Sequence, residues 1–129
     1  MATPKWLNRV TIDAIHLDQI REHGGLKGIE NEGALTSALE RPRRRWEEED
    51  KPDLARLAAT YGHAIATDQP FRDGNTRVAF IAMAVFLELN GRTVTASEED
   101  VLCTMIAVAE GKLSRKKLAV WIREKLSPD

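Results

Sequence analysis

The chain has 129 residues, 43% hydrophobic and 30% charged, with a net charge of −1; this is the size of one domain (residues 1–129) and a composition that excludes collagen and argues against disorder. The near-neutral charge argues against a whole-surface basic field for nucleic acid, and the lone Cys103 excludes an intramolecular disulfide or a multi-cysteine zinc site. No run of 18 apolar residues is present to span a membrane and residues 1–6 lack a signal-peptide core, so the expected compartment is the cytoplasm.

The predicted elements follow a helical period. Thr11 is placed to cap a first helix running to about residue 22, with Ile12, Ile15 and Ile20 inward and Gly24-Gly25 as its stop. Asn31 is placed to cap a short second helix, with Leu35, Ala38 and Leu39 apolar and Pro42 as its end. Residues 40–52 then read as a charge-blocked, solvated loop: Arg41 and Arg43 to Arg45, then Glu47 to Asp50, with Trp46 between as an alternative interface anchor. Pro52 suits the first turn of a third helix, in which Leu54, Leu57, Ala58, Tyr61 and Ile65 share a face. Residues 78–89 carry apolar side chains on every side, which predicts a buried central helix ended by Asn90-Gly91. Ser97 with Asp100 resembles a capping box for a fifth helix carrying Val101, Leu102, Met105 and Ile106. Among those neighbours Cys103 reads as a buried apolar thiol. Ser114 is placed to cap a last helix with Leu118, Trp121, Ile122 and Leu126. With no long strand and no repeat, the expected architecture is an all-α bundle of about six helices around one buried helix.

One loop stands directly before that buried helix: Asp68-Gln69-Pro70-Phe71-Arg72-Asp73-Gly74-Asn75-Thr76-Arg77. The first N–H groups of a helix lack intrahelical partners and carry partial positive charge. Gly74 allows close backbone approach or positive φ, and Arg77 can grip phosphate oxygens bidentately. Asp73 can hold a Mg²⁺ that shares those phosphates. Phe71, apolar among polar neighbours, is expected to pin the loop to the core. Asp-Gly-Asn is equally an ordinary turn and helix cap, and the ten residues taken alone favour that plainer reading. The three histidines have no His-x-x-x-His spacing, so metal binding is not expected of them. His63 is the one expected near the loop, because it precedes Gln69 on the same helix.

The segment from Gln69 to Arg77 resembles the signature of the Fic/Doc superfamily, His-Pro-Phe-x-Asp-Gly-Asn-Lys-Arg. The likeness runs over nearly the whole chain. Ala14-Ile15-His16, His23-Gly24-Gly25, Gly28-Ile29, Gly33-Ala34-Leu35 and Ala38-Leu39-Glu40-Arg41-Pro42 resemble the first half of death-on-curing (Doc-type) toxins. Phe86-Leu87-Glu88-Leu89-Asn90-Gly91 and Ala107-Val108-Ala109-Glu110-Gly111 resemble their second half. Phe80, where nucleotidyl-transferring Fic enzymes carry a second arginine, fits the Doc branch, whereas Thr76 fits neither consensus. No Ser/Thr-x-x-x-Glu-Gly/Asn inhibitory motif is present, so restraint is expected from a separate antitoxin chain.

This resemblance implies a Fic-like helical bundle with a short flap, ATP and Mg²⁺ as cofactors, a Phd-like antitoxin as partner and no direct nucleic-acid binding. It implies transfer of the γ-phosphoryl group of ATP to a threonine of elongation factor Tu, which blocks translation. By motif position Asp73 corresponds to the metal residue, Gly74, Asn75 and Thr76 to the anion-binding turn, and Arg77 to the phosphate-binding arginine. The family's catalytic histidine corresponds to Gln69, whose amide has no useful basicity, so this form is expected to be impaired. Gln69 reads first as a change introduced so that a toxic protein could be produced; a natural pseudoenzyme and a substitute base elsewhere are the alternatives. A Fic-type nucleotidyl (AMP) transferase and a non-catalytic antitoxin- or partner-binding protein are the other functions considered.

Overall fold

The computed structural model describes residues 2–50 and 52–128. Its six helices are α1 (Arg9–His23), α2 (Glu32–Glu48), α3 (Leu54–Asp68), α4 (Asn75–Leu89), α5 (Glu98–Ala109) and α6 (Arg115–Lys125). Among the described residues no strand forms, and two isolated bridges, Ile29 with Phe71 and Val94 with Leu126, are the only β-type pairings. The all-α expectation holds.

Short polar side chains start five of the helices. Asn8, Asn31, Asp53, Ser97 and Ser114 each accept the N–H of the residue three positions on, at 2.9 to 3.2 Å. Three boundaries shift. Asn8, not Thr11, caps α1, and Thr11 supplies the N–H it accepts. Pro52 lies ahead of the Asp53 cap rather than inside the first turn of α3. The apolar helix begins at Asn75, not Val78, so the end of the motif is its first turn. At Ser97 only half of the capping box forms, because the Asp100 carboxylate pairs with Lys125.

The largest correction is α2. It runs through Pro42 to Glu48, and no flap loop separates residues 40–48 from it. Pro42 removes one rung of the hydrogen-bond ladder, at a cost of about 3 kcal/mol in a helix interior. Its ring is buried, and the charges around it are spaced for a helix. Glu40 pairs with Arg44, Arg45 with Glu49, and Arg41 donates to Ser37 Oγ at 3.1 Å, each across one turn. Trp46 is half-buried against the core rather than displayed as an exposed anchor.

α3 and α4 share the centre. α4 buries Val78, Ala79, Ala82, Met83, Phe86 and Leu87, whereas Phe80, Ile81 and Val85 are half-buried and Leu89 is exposed, so the helix expected to be buried all round is buried on one side. α3 is more buried still and packs against α2, α4, α5 and α6. Its small residues make the close approach: a Cβ on Gly62 would stand 2.7 Å from Met83 Cγ and collide with the Met83 sulfur. Tyr61, fully buried on the same helix, accepts the Leu7 N–H at 3.1 Å and packs on Phe86 with the rings tilted by 53°, which ties the N-terminal segment to the centre. Cys103 is exposed, not buried; α5 turns Thr104, Met105 and Val108 inward instead. No helix is long and apolar enough to cross a membrane.

Candidate active site

The segment between α3 and α4 is held from three directions. At its start Gln69 is the C-cap of α3, with φ 47° and ψ 62°; it is the one non-glycine residue at positive φ among the described residues. That conformation costs roughly 1–3 kcal/mol and persists only where neighbours impose it. Here the Pro70 carbonyl accepts two N–H groups, from Glu30 at 2.8 Å and Asn31 at 3.0 Å, and the Arg72 N–H donates to the Gly28 carbonyl at 3.1 Å. The entry to α2 thus clamps the turn that presents Gln69, whose side chain is exposed.

Phe71 is the anchor that the sequence predicts. It is fully buried, and the His16 ring stacks on it at 4.0 Å with 11° between planes. His16 also lies 3.1 Å, through Nε2, from the Asp73 carbonyl. That oxygen can only accept, so the imidazole donates. The expectation that His63 alone lies near the loop is therefore corrected: His16 on α1 touches it directly, and nothing in the spacing of the sequence links residues 57 positions apart.

Asn75 closes the loop from inside. Its amide oxygen accepts the Phe71 N–H at 3.0 Å, and its amide nitrogen donates to the Phe71 carbonyl at 2.8 Å. The side chain is buried and committed to shaping the turn, which leaves its main-chain N–H for a ligand.

Gly74, at φ 79°, is the N-cap of α4, and here the pattern of the other five helices breaks: no side chain caps this one. The leading N–H groups of the helix, from Asn75 to Arg77, have no intrahelical acceptor. A centre of partial positive charge lies open in front of them. Arg77 extends from the same turn, exposed, with no hydrogen bond or ion pair among the described residues.

Asp73 stands beside this opening. One carboxylate oxygen accepts the Leu26 N–H at 2.7 Å; the other has no protein partner among the described residues. Gly25, at φ 117°, makes room for it, since a Cβ there would lie 3.1 Å from Asp73 Cβ. The second glycine of the pair that reads as a helix stop therefore also makes room for Asp73. One free carboxylate oxygen on the residue just before the uncapped start of α4 fits a Mg²⁺ that takes one protein carboxylate and phosphate oxygens. Among the described residues no group of three or more His, Cys, Asp or Glu forms a closed metal cage.

Asp68, adjacent to Gln69, pairs with Arg41 of α2 at 3.0 Å and is engaged away from the role of a base. Burial lowers the pKa of His63 below the usual histidine value, against the opposing charge of Asp68. Thr76 and Arg77 form the edge of a pocket of about 340 Å³ between α1, α4 and α5, floored by Phe80, Ile81, Leu102 and Met105. Thus the structure brings Asp73, Gly74, Asn75, Thr76 and Arg77 to one helix end and sets Gln69 at the other end of the same loop.

Residues 6–87 match the model of the Fic/DOC family. Over 110 residues the chain is 33% identical to the protein kinase Doc of Escherichia phage P1, covering 85% of this chain and 86% of that protein.

Proposed function

Because the chain belongs to the Fic/DOC family, we propose that it is a Doc-like toxin whose α4 N-terminus holds the phosphates of ATP for transfer of the γ-phosphoryl group to a protein hydroxyl. The observation that carries this reading is the uncapped start of α4. Five helices close their first turn with a side chain; α4 instead opens with free N–H groups, an Arg77 unpaired among the described residues and, just before it, a half-free Asp73 carboxylate.

In this reading the main-chain N–H groups of Asn75, Thr76 and Arg77 and the Arg77 guanidinium bind phosphate oxygens and stabilise the charge that develops on transfer. Asp73 holds Mg²⁺, which supplies neutralisation of the phosphate charge when bound. Gln69 can orient an acceptor hydroxyl through its amide but cannot take the proton, and loss of a general base costs roughly 10²- to 10⁴-fold. The present form therefore binds and positions but transfers slowly. A threonine of elongation factor Tu is the proposed acceptor, with arrested translation as the outcome. Phe80 supports phosphoryl over nucleotidyl transfer, because it puts an aromatic ring where a second phosphate-binding cation would be needed.

A Phd-like antitoxin is the proposed partner. An apolar helix seated on Phe80, Ile81, Leu102 and Met105 would cover Thr76 and Arg77 and so deny the phosphates their site. One observation favours a second reading, a binding protein without chemistry: the amide at position 69, with the neighbouring Asp68 engaged by Arg41.

Calorimetry with ATP and Mg²⁺ tests the phosphate site. The Gln69 form is expected to bind, and Arg77→Ala to weaken binding on the order of 10- to 100-fold, the worth of a charge-assisted contact. Equal affinity for both proteins would remove Arg77 from the site.

A further inference from the structure

A second concavity, of about 630 Å³, runs between α2, α3 and α6, and the phosphate-binding reading makes no use of it. Five cations line it: Arg45 from α2, Arg56 from α3, and Arg115, Lys116 and Arg123 from α6. No carboxylate is among its lining residues, although the whole chain carries a net charge of −1. Thr60, His63 and Ala119 form its floor, and Val120 on its edge is 46% exposed, an apolar side chain left to solvent between the charges.

We propose that this groove docks an acidic segment of a protein partner. Three observations select that occupant. The first is the anion these cations already prefer. Arg45 and Arg56 both grip Glu49, at 2.9 and 2.7 Å, and Arg123 grips Asp53 at 2.6 Å. The groove is thus closed at one end by the chain's own carboxylates. At the other end Arg115 and Lys116 make no ion pair among the described residues, and they stand on the first turn of α6, where the helix dipole adds positive charge.

The second is the spread of the charges. From Arg115 to Arg123 the charged positions extend over about 12 Å of helix. Arg45, Arg56 and Arg123 already hold the carboxylates of Glu49 and Asp53 at one end of that row, and Arg115 and Lys116 leave its other end open to the carboxylates of a further acidic segment. The third is the apolar strip of Ala119 and Val120, which suits a segment that carries an aliphatic side chain between its acids. The groove also follows the helix that ends at Gln69, six residues beyond His63, so its occupant would lie along the element that sets the site.

The test uses the full chain and a synthetic helical peptide of about 15 residues that alternates Glu pairs with Leu and Ala. Fluorescence anisotropy and ¹⁵N NMR read its binding, with the Lys-for-Glu peptide and inorganic tripolyphosphate as comparison ligands. The acidic peptide is expected to bind, to shift the amide signals of Thr60, His63, Ala119 and Val120, and to weaken as salt rises past the range where the Debye length falls below about 10 Å. The double variant Arg115→Glu/Lys116→Glu is expected to lose at least tenfold in affinity, and Val120→Asp to weaken binding independently. Both alter exposed positions, and a circular-dichroism melt confirms the fold. Arg21→Glu, on α1, is expected to bind as the parent does. The proposal is overturned if the acidic peptide does not bind, if it binds the double variant equally, or if tripolyphosphate alone produces the shifts in the groove.

Discussion

An imidazole on the first helix sets the shape of a loop 57 residues further along. His16 stacks on Phe71 and donates to the Asp73 carbonyl, and Asp73 in turn fixes Leu26. Replacing His16 with Leu keeps an apolar body against Phe71 and leaves the carbonyl without its donor. The expected cost is about 1–3 kcal/mol of stability, together with weaker ATP binding, since Asp73 and Gly74 lose their support. Urea unfolding and calorimetry on the same preparation check both effects; unchanged values for each would reduce His16 to a filler of the core. None of this was legible in the sequence, because the pair is joined by tertiary folding alone. Gly74 was legible, since glycine is the residue a left-handed N-cap requires. The left-handed Gln69 was not, because the hydrogen bonds that impose it arrive at Pro70 from residues 30 and 31. Cys103 was misread for a geometric reason: two positions before the buried Met105, it lies about 200° around the helix from it.

At the scale of elements, the charge block around Pro42 shows how composition misleads where spacing does not. Four arginines followed by four acids look like a solvated loop, yet Glu40 to Arg44 and Arg45 to Glu49 are four-residue steps that a helix turns into pairs. Each such pair contributes only about 0.3–0.5 kcal/mol, so the buried Pro42 ring and half-buried Trp46 add packing that charge alone would not supply. α4 is the converse case: an apolar pattern on every side calls for an interior position, and the structure meets it on one side only, with Phe80, Ile81 and Val85 half-buried and Leu89 42% exposed. What the pattern of α4 did not reveal was the helix against which it packs. α3 carries Ala55, Ala58, Ala59, Gly62, Ala64 and Ala66 on its buried faces, and this slimness lets it lie at the centre with four helices around it. Gly62→Ala is therefore expected to destabilise the protein by about 1–3 kcal/mol through overpacking on Met83, despite the better helix propensity of alanine. Thermal melting reads it directly. A gain in stability would mean that α3 and α4 separate without cost and that the contact is loose.

Across the molecule, the bundle converts sequence-distant pieces into one rigid presentation. The middle of α1, the glycine turn after that helix and the entry to α2 each hold one part of the segment from Gln69 to Gly74, and α3 and α4 fix its two ends. The nine-residue motif carried the identity of the site; the order of the helices carried the fold. The groove between α2, α3 and α6, with its row of cations, remained unread because its members come from three helices and form no motif. On the proposed function, the segment from Asp73 to Arg77 lacks only a base at position 69 for phosphoryl transfer. Gln69→His supplies an imidazole that is substantially neutral at pH 7, in a backbone conformation that histidine adopts more readily than most residues. The measurement is transfer from ATP labelled at the γ or the α phosphate to purified elongation factor Tu, with the parent and Gln69→His proteins side by side. The account predicts that Gln69→His transfers the γ label on the order of 10²- to 10⁴-fold faster than the parent, with no transfer of the α label. A Gln69→His protein that folds and binds ATP, yet transfers neither label to elongation factor Tu or to any protein of a bacterial extract, would contradict it.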